Sequence, residues 1–230
     1  MLFANVETLS VSNMAKGEHA ISNRKVAKRR RLSPEARKKQ LLEVAVSVFA
    51  KRGLAGAHHA EIAERAGVAV STVFVYFPTR PALVDAVLCV VETMLWEITE
   101  STYNEEHPSA AHALRVHFAR ALETAIANPD IVAVWLDWST AVRTENWPRF
   151  LEGHDRLAAL MTLAIQRGQT EGSLRADLDA DHVARHLIGS SRSIAQMLLM
   201  DVDEAELRAF IETLLRALEP VESAPAAAPN

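Results

Sequence analysis

Cysteine is almost missing from this 230-residue sequence. Cys89 stands alone, which excludes an internal disulfide framework and a Cys-rich zinc site, and fits a reducing cytoplasm. Glycine is scarce, with eight residues, while Ala and Leu dominate; strand-like alternation is absent, so the expected fold is all-α. No apolar run reaches the roughly 18–20 residues of a membrane span. The N-terminus lacks the basic-then-apolar order of a secretion signal. A cytoplasmic protein with no membrane contact is therefore expected, with Met1 or Met14 as its start. Also missing are a nucleophile–base set, a phosphate-binding glycine loop and a paired-carboxylate motif. Neither catalysis nor a cofactor is expected. His182 and His186 stand four apart on one helical face, a spacing a metal could use. No carboxylate or cysteine completes that set, so they are read as surface histidines and no metal is expected.

Charge is present but unevenly spread. The net charge is −4, yet nine basic residues and the single acid Glu35 lie between Arg24 and Lys39. A basic block beside an acidic body points to an anionic partner for one end of the chain only. Residues 1–32 have no sustained periodicity and read as a disordered basic arm. The Pro- and Ala-rich residues 220–230 read as a disordered tail.

Ser33-Pro34-Glu35 opens the first helix, with Ser33 as N-cap and Pro34 in the first turn. Leu41, Leu42, Ala45, Val48 and Phe49 continue it in register to an end at Gly53. From Ala60 to Phe77 the chain reads as two short helices around a tight turn. Ile62, Ala63 and Ala66 form the apolar face of the first, and Gly67 supplies a left-handed turn residue. Ser71 or Thr72 is expected to cap the second, and Pro78 stops it. This is the helix-turn-helix pattern, whose second helix enters the major groove of DNA. Taken alone it is equally an ordinary helical hairpin. Thr79 caps a long helix over 80–102, and further helices are expected near 109–127, 130–143, 147–168, 179–200 and 203–218. The domain reading is a head over 33–79 and a helical body over 80–219.

Residues 34–83 resemble the N-terminal domain of the TetR family of bacterial transcriptional regulators. The runs Ala60-Glu61-Ile62-Ala63-Glu64-Arg65-Ala66-Gly67-Val68 and Thr72-Val73-Phe74-Val75-Tyr76-Phe77, followed by Arg80 and Leu83, match its signature in order and spacing. A narrower resemblance is to the quorum-sensing master regulators of the LuxR/HapR type. It rests on Phe77-Pro78-Thr79-Arg80, the arginine-rich arm, and Val134-Trp135-Leu136-Asp137-Trp138-Ser139 with Trp147-Pro148. That subfamily typically has Asn where this chain has Val75, an apolar residue that specifies a base poorly.

The resemblance implies a DNA-binding surface made of Arg29, Arg30, Arg31, Ala69, Val70, Ser71, Thr72, Phe74, Val75, Tyr76 and Arg80. Ser71 and Thr72 can reach base edges or phosphates, and Phe74 a thymine methyl. Tyr76 and Arg80 resemble phosphate-contacting positions. The three arginines of the arm can enter an A·T-rich minor groove. Phe77 is expected in the head core. The resemblance also implies a pocket in the body for an apolar small-molecule ligand, with Phe118, Trp135, Trp138, Ser139, Val142 and Ser191 as candidate lining and Asn146 as a further polar group. Core filling competes with ligand binding at each of these large side chains. The helices near 179–200 and 203–218 are expected to pair with a second copy, giving a homodimer on near-palindromic double-stranded DNA. A global regulator that activates some promoters and represses others is implied; the alternative is a local repressor of an efflux or catabolic operon, released by a ligand.

Overall fold

The computed structural model describes residues 32–220. Among these residues there are nine α-helices and no strand: α1 Pro34–Gly56, α2 His59–Ala66, α3 Val70–Tyr76, α4 Arg80–Tyr103, α5 Ala110–Ala127, α6 Pro129–Thr140, α7 Trp147–Glu171, α8 Ala180–Leu199 and α9 Glu204–Arg216. The all-α expectation holds. Among the described residues no helix is long and apolar enough to cross a membrane.

The helix starts follow local chemistry. Ser33 Oγ accepts the Ala36 N–H at 3.1 Å, and Thr79 Oγ1 accepts the Ala82 N–H at 3.2 Å. In both helices a proline occupies the first turn, where no intrahelical donor is lost. Gly67 ends α2 in the left-handed region (φ 64°, ψ 41°), and the Val68 N–H closes the turn on the Ala63 carbonyl at 3.0 Å.

Three local expectations need correction. The cap of α3 is Ala69, without a side-chain hydrogen bond; the Gly67 turn starts the helix early enough to place Ser71 and Thr72 inside its first turn. Helix α6 ends at Thr140 rather than near 143. Ser139 and Thr140 hydroxyls bond back to the Leu136 carbonyl, and Trp138 Nε1 donates to the Asn146 carbonyl at 3.0 Å, folding the chain over after the helix. Helix α7 runs past Gly168 to Glu171 and stops at Gly172 (φ 78°). Gly168 instead provides a close approach: a Cβ there would lie 2.5 Å from Leu174 Cδ1.

Buried side chains form two clusters. The first joins α1, α2 and α3 to the first half of α4 through Leu41, Phe49, Ile62, Val73, Phe77 and Leu88, and includes Val134 and Trp138 of α6 and Phe150 of α7. The second joins α5, α7, α8 and α9 through residues such as Leu114, Met161, Ile165, Leu187 and Leu207. Each fully buried aliphatic side chain contributes roughly 1.5–3 kcal/mol. Because the first cluster runs on into α4, α6 and α7, no gap in packing falls at the start of α4.

Candidate nucleic-acid interface and body cavity

Helix α3 buries one side and presents the other. Val73 and the adjoining Phe77 are within the core, while Ala69, Val70, Ser71, Phe74 and Val75 are exposed and Thr72 and Tyr76 lie at the edge. Positions 70, 71, 74 and 75 recur with the helical repeat and form one outward face. Val75 is 76% exposed at its centre. Phe74 is half in and half out: its ring stacks on His59 at 4.2 Å with the planes 6° apart, and its other side faces solvent.

His59 organises this arrangement and was not anticipated. Its Nε2 donates to the Phe77 carbonyl at 2.8 Å, tying the start of α2 to the end of α3. The available signal was spacing: His59, Ile62, Ala63 and Ala66 share the buried face of α2.

Arg80, expected at a phosphate, is half-buried at the start of α4. Its Nη2 donates to the Leu54 carbonyl and, at 2.9 Å, to the Ala55 carbonyl. These belong to the turn beyond Gly53, where the helical dihedrals of α1 break (φ 72°, ψ 169°). The same turn is gripped from the body, because the Leu54 N–H donates to Asp137 Oδ2 of α6 at 2.6 Å. Thus Asp137, Leu54 and Arg80 form a continuous hydrogen-bonded path from α6 through α1 to α4. Arg29, Arg30 and Arg31 lie outside the described residues.

A cavity of about 160 Å³ opens between α4, α5, α6, α7 and α8. Phe118, Trp135, Trp138 and Ser191 line it. Ser139 and Val142 do not. Ser139 Oγ is turned back to the Leu136 carbonyl at 2.8 Å, and Val142, beyond the end of α6, is 59% exposed. Asn146 is likewise absent from the wall; its carbonyl receives the Trp138 indole. The wall adds Phe150, and with it Trp96, Thr99, His117 and His154, which sequence reasoning did not single out. Phe150 meets Trp138 edge-on at 5.4 Å and stacks on Trp147 at 5.1 Å.

Charge at the cavity wall is internally matched. Glu92 is held by Arg149 of α7, whose Nε lies 2.7 Å from Glu92 Oε1 and which also reaches Asp85. The Glu92 hydrogen bond raises the Arg149 pKa above its usual value despite partial burial. His117 is 8% exposed, and burial lowers its pKa to about 4. Its Nδ1 has no hydrogen-bond partner, and neither does the buried hydroxyl of Tyr103, whose ring lies 5.5 Å from the imidazole. Burial also raises the Tyr103 pKa.

Residues 41–87 match the family model described as bacterial regulatory proteins, tetR family. The chain is 33% identical over 190 residues to the HTH-type transcriptional regulator LuxR of Vibrio harveyi, covering 83% of this chain and 92% of that protein. It is 28% identical over 159 residues to the HTH-type transcriptional repressor KstR2 of Mycobacterium tuberculosis, covering 66% and 76% respectively. The solved structure of that ketosteroid transcriptional regulator superposes with a TM-score of 0.69 at 18% identity, over 82% of this chain and 98% of the other. A regulator from Saccharomonospora viridis solved in complex with choline superposes with a TM-score of 0.66 at 20% identity, over 79% and 96%.

Proposed function

Because the chain belongs to the TetR family of bacterial transcriptional regulators, we propose that it acts as a quorum-sensing-type global regulator, binding near-palindromic DNA sites as a homodimer. The observation that carries this reading is the likeness to LuxR along most of both chains. The exposed face of α3 is the reading surface, entering the major groove with Ala69, Val70, Ser71, Thr72, Phe74 and Val75. Tyr76 flanks it. The remaining donors of Arg80 face a phosphate, and Arg29, Arg30 and Arg31 follow the adjacent minor groove. The chain divides functionally into a basic arm (1–32), a head (33–79), a body (80–219) and a tail (220–230). One recognition helix reads too few base pairs for a unique site, so a second copy joined through α8 and α9 doubles the readout.

Coupling between body and head runs along α4 and also along α6. Trp135 and Trp138 face the cavity from α6, and Asp137 between them holds the Gly53–Leu54 turn of α1. A ligand that shifts α6 thereby alters the separation of the two recognition helices, with a coupling of about 1–3 kcal/mol.

The cavity and the likeness to KstR2, a named repressor, favour a second reading: a local repressor released by a small molecule. Selection of genomic DNA fragments by the purified protein at two salt concentrations separates the two. Many enriched near-palindromes support the global regulator, and one enriched promoter supports the local repressor. No enrichment at low salt overturns both, because phosphate contacts strengthen as salt falls.

A further inference from the structure

Pairing of charges and burial of polar atoms at the cavity wall restrict what can occupy it. Five aromatic side chains (Trp96, Phe118, Trp135, Trp138 and Phe150) stand in a largely apolar wall. Among the polar wall groups, the Glu92 carboxylate is engaged by Arg149. The hydroxyls of Thr99 and Ser191 donate to the Leu95 and Leu187 carbonyls of their own helices, and His154 Nδ1 sits 3.6 Å from the Asp155 carboxylate. No uncompensated cation or anion is thus presented to a guest.

His117 differs from these. It is a cavity-lining residue, more than nine-tenths buried, and its Nδ1 has no partner. Buried polar atoms are normally satisfied, and an orphan beside a cavity is accounted for when a ligand completes it. From α4 the Tyr103 ring packs 5.5 Å from the same imidazole, outside the cavity wall, so His117 is the polar point of the wall itself. With its pKa near 4 the imidazole is uncharged at neutral pH, so it can exchange a hydrogen bond with a hydroxyl or carbonyl but offers a carboxylate no positive charge. Size adds a further limit: an engineered apolar cavity of roughly 150 Å³ holds benzene, and this one measures about 160 Å³.

We propose that the body cavity takes a compact, uncharged, ring-containing molecule bearing one hydroxyl or carbonyl group, and that His117 recognises that group. This deepens, and rests on, the reading of the body as a ligand-binding regulatory unit. It assigns the ligand's charge, size and polar contact.

The test is calorimetric titration of the full chain with three matched probes: benzene, phenol and benzoate. For the wild-type protein, phenol is expected to bind about tenfold more tightly than benzene, the value of one hydrogen bond to a neutral group. The anion benzoate is expected to bind weakest. In His117→Phe the advantage of phenol over benzene should disappear while benzene still binds. Equal affinities for benzene and phenol, tightest binding by benzoate, or no binding of any probe overturns the proposal. Should His117→Phe not fold, the wild-type ranking alone decides. DNA affinity measured by fluorescence anisotropy on the same samples keeps the two readings apart. Probe binding without any DNA binding removes the regulator reading but leaves the site, whereas DNA binding without probe binding does the reverse.

Discussion

At the scale of single residues, the acid sensitivity of the fold centres on His117. An unfolded histidine titrates near 6.5, and burial holds this one near 4. Between those values the unfolded chain binds a proton that the folded chain does not, so stability falls as pH drops through this window and is fully present above it. From pH 7 to pH 5 the loss from this group is about 2 kcal/mol. Urea unfolding at both pH values checks it, and in His117→Phe that part of the loss should vanish. An equal loss in the variant would assign the sensitivity elsewhere. The histidine pair His182 and His186, by contrast, is solvent-exposed, and among the described residues there is no cluster of three or more metal-ligating side chains. Exposure could be anticipated for His182 and His186 from their polar neighbours. The burial of His117 could not, because its immediate neighbours Val116 and Phe118 say only that the helix has an apolar side.

At the scale of elements, two contacts set how helices meet. Gly168 lets α7 lie against Leu174, and an added Cβ would also come within 3.1 Å of Ala110 Cβ. Gly168→Ala is therefore expected to destabilise the fold by about 1–3 kcal/mol despite the better helix propensity of alanine. Thermal or urea unfolding measures this, and an unchanged or raised stability would show that Leu174 moves aside freely. The second contact is Asp137 on the Leu54 N–H. It is partly solvated, so Asp137→Ala should cost only about 1 kcal/mol of stability. Its larger effect is expected on function: weaker DNA binding with phenol affinity unchanged, and recovery in Asp137→Asn, which keeps the acceptor. Anisotropy and calorimetry on the three proteins give the answer, and DNA affinity that follows stability alone would rule out a coupling role.

On the scale of the whole molecule, the proposed homodimer makes a clear demand on α8. Gly189 is exposed, and a side chain at this position would meet nothing within 4 Å in the single chain. Arginine there should leave the protomer folded, since glycine is the poorer helix former by about 1 kcal/mol. In a dimer built on α8 and α9, the same side chain would crowd the partner. Gly189→Arg is thus expected to sediment as a folded monomer and to lose most of its DNA affinity, because a single head reads half a site. A Gly189→Arg protein that remains dimeric would place the interface on another face.

The sequence by itself determined the helices, most of their ends, the helix-turn-helix and the family. Each of these is written in short-range signals: the helical repeat of apolar residues, Ser33 and Thr79 as caps, Gly67 in a left-handed turn, and a motif about fifty residues long. Where short-range reasoning failed, a tertiary contact had intervened: α6 ends early as the chain folds back onto Trp138, and Gly168 marks not a helix end but the place where α7 meets Leu174 too closely for a side chain. Only the tertiary structure decided that Arg80 and Asp137 meet at Leu54, across 83 residues of chain in the case of Asp137. It alone decided that Ser139 turns away from the cavity that Ser191 lines, and that His117 is buried there without a partner. The physical reason is common to all of them. A cap or a turn is fixed by atoms a few bonds apart, whereas a polar contact between helices depends on the packing angle and depth of every element between them.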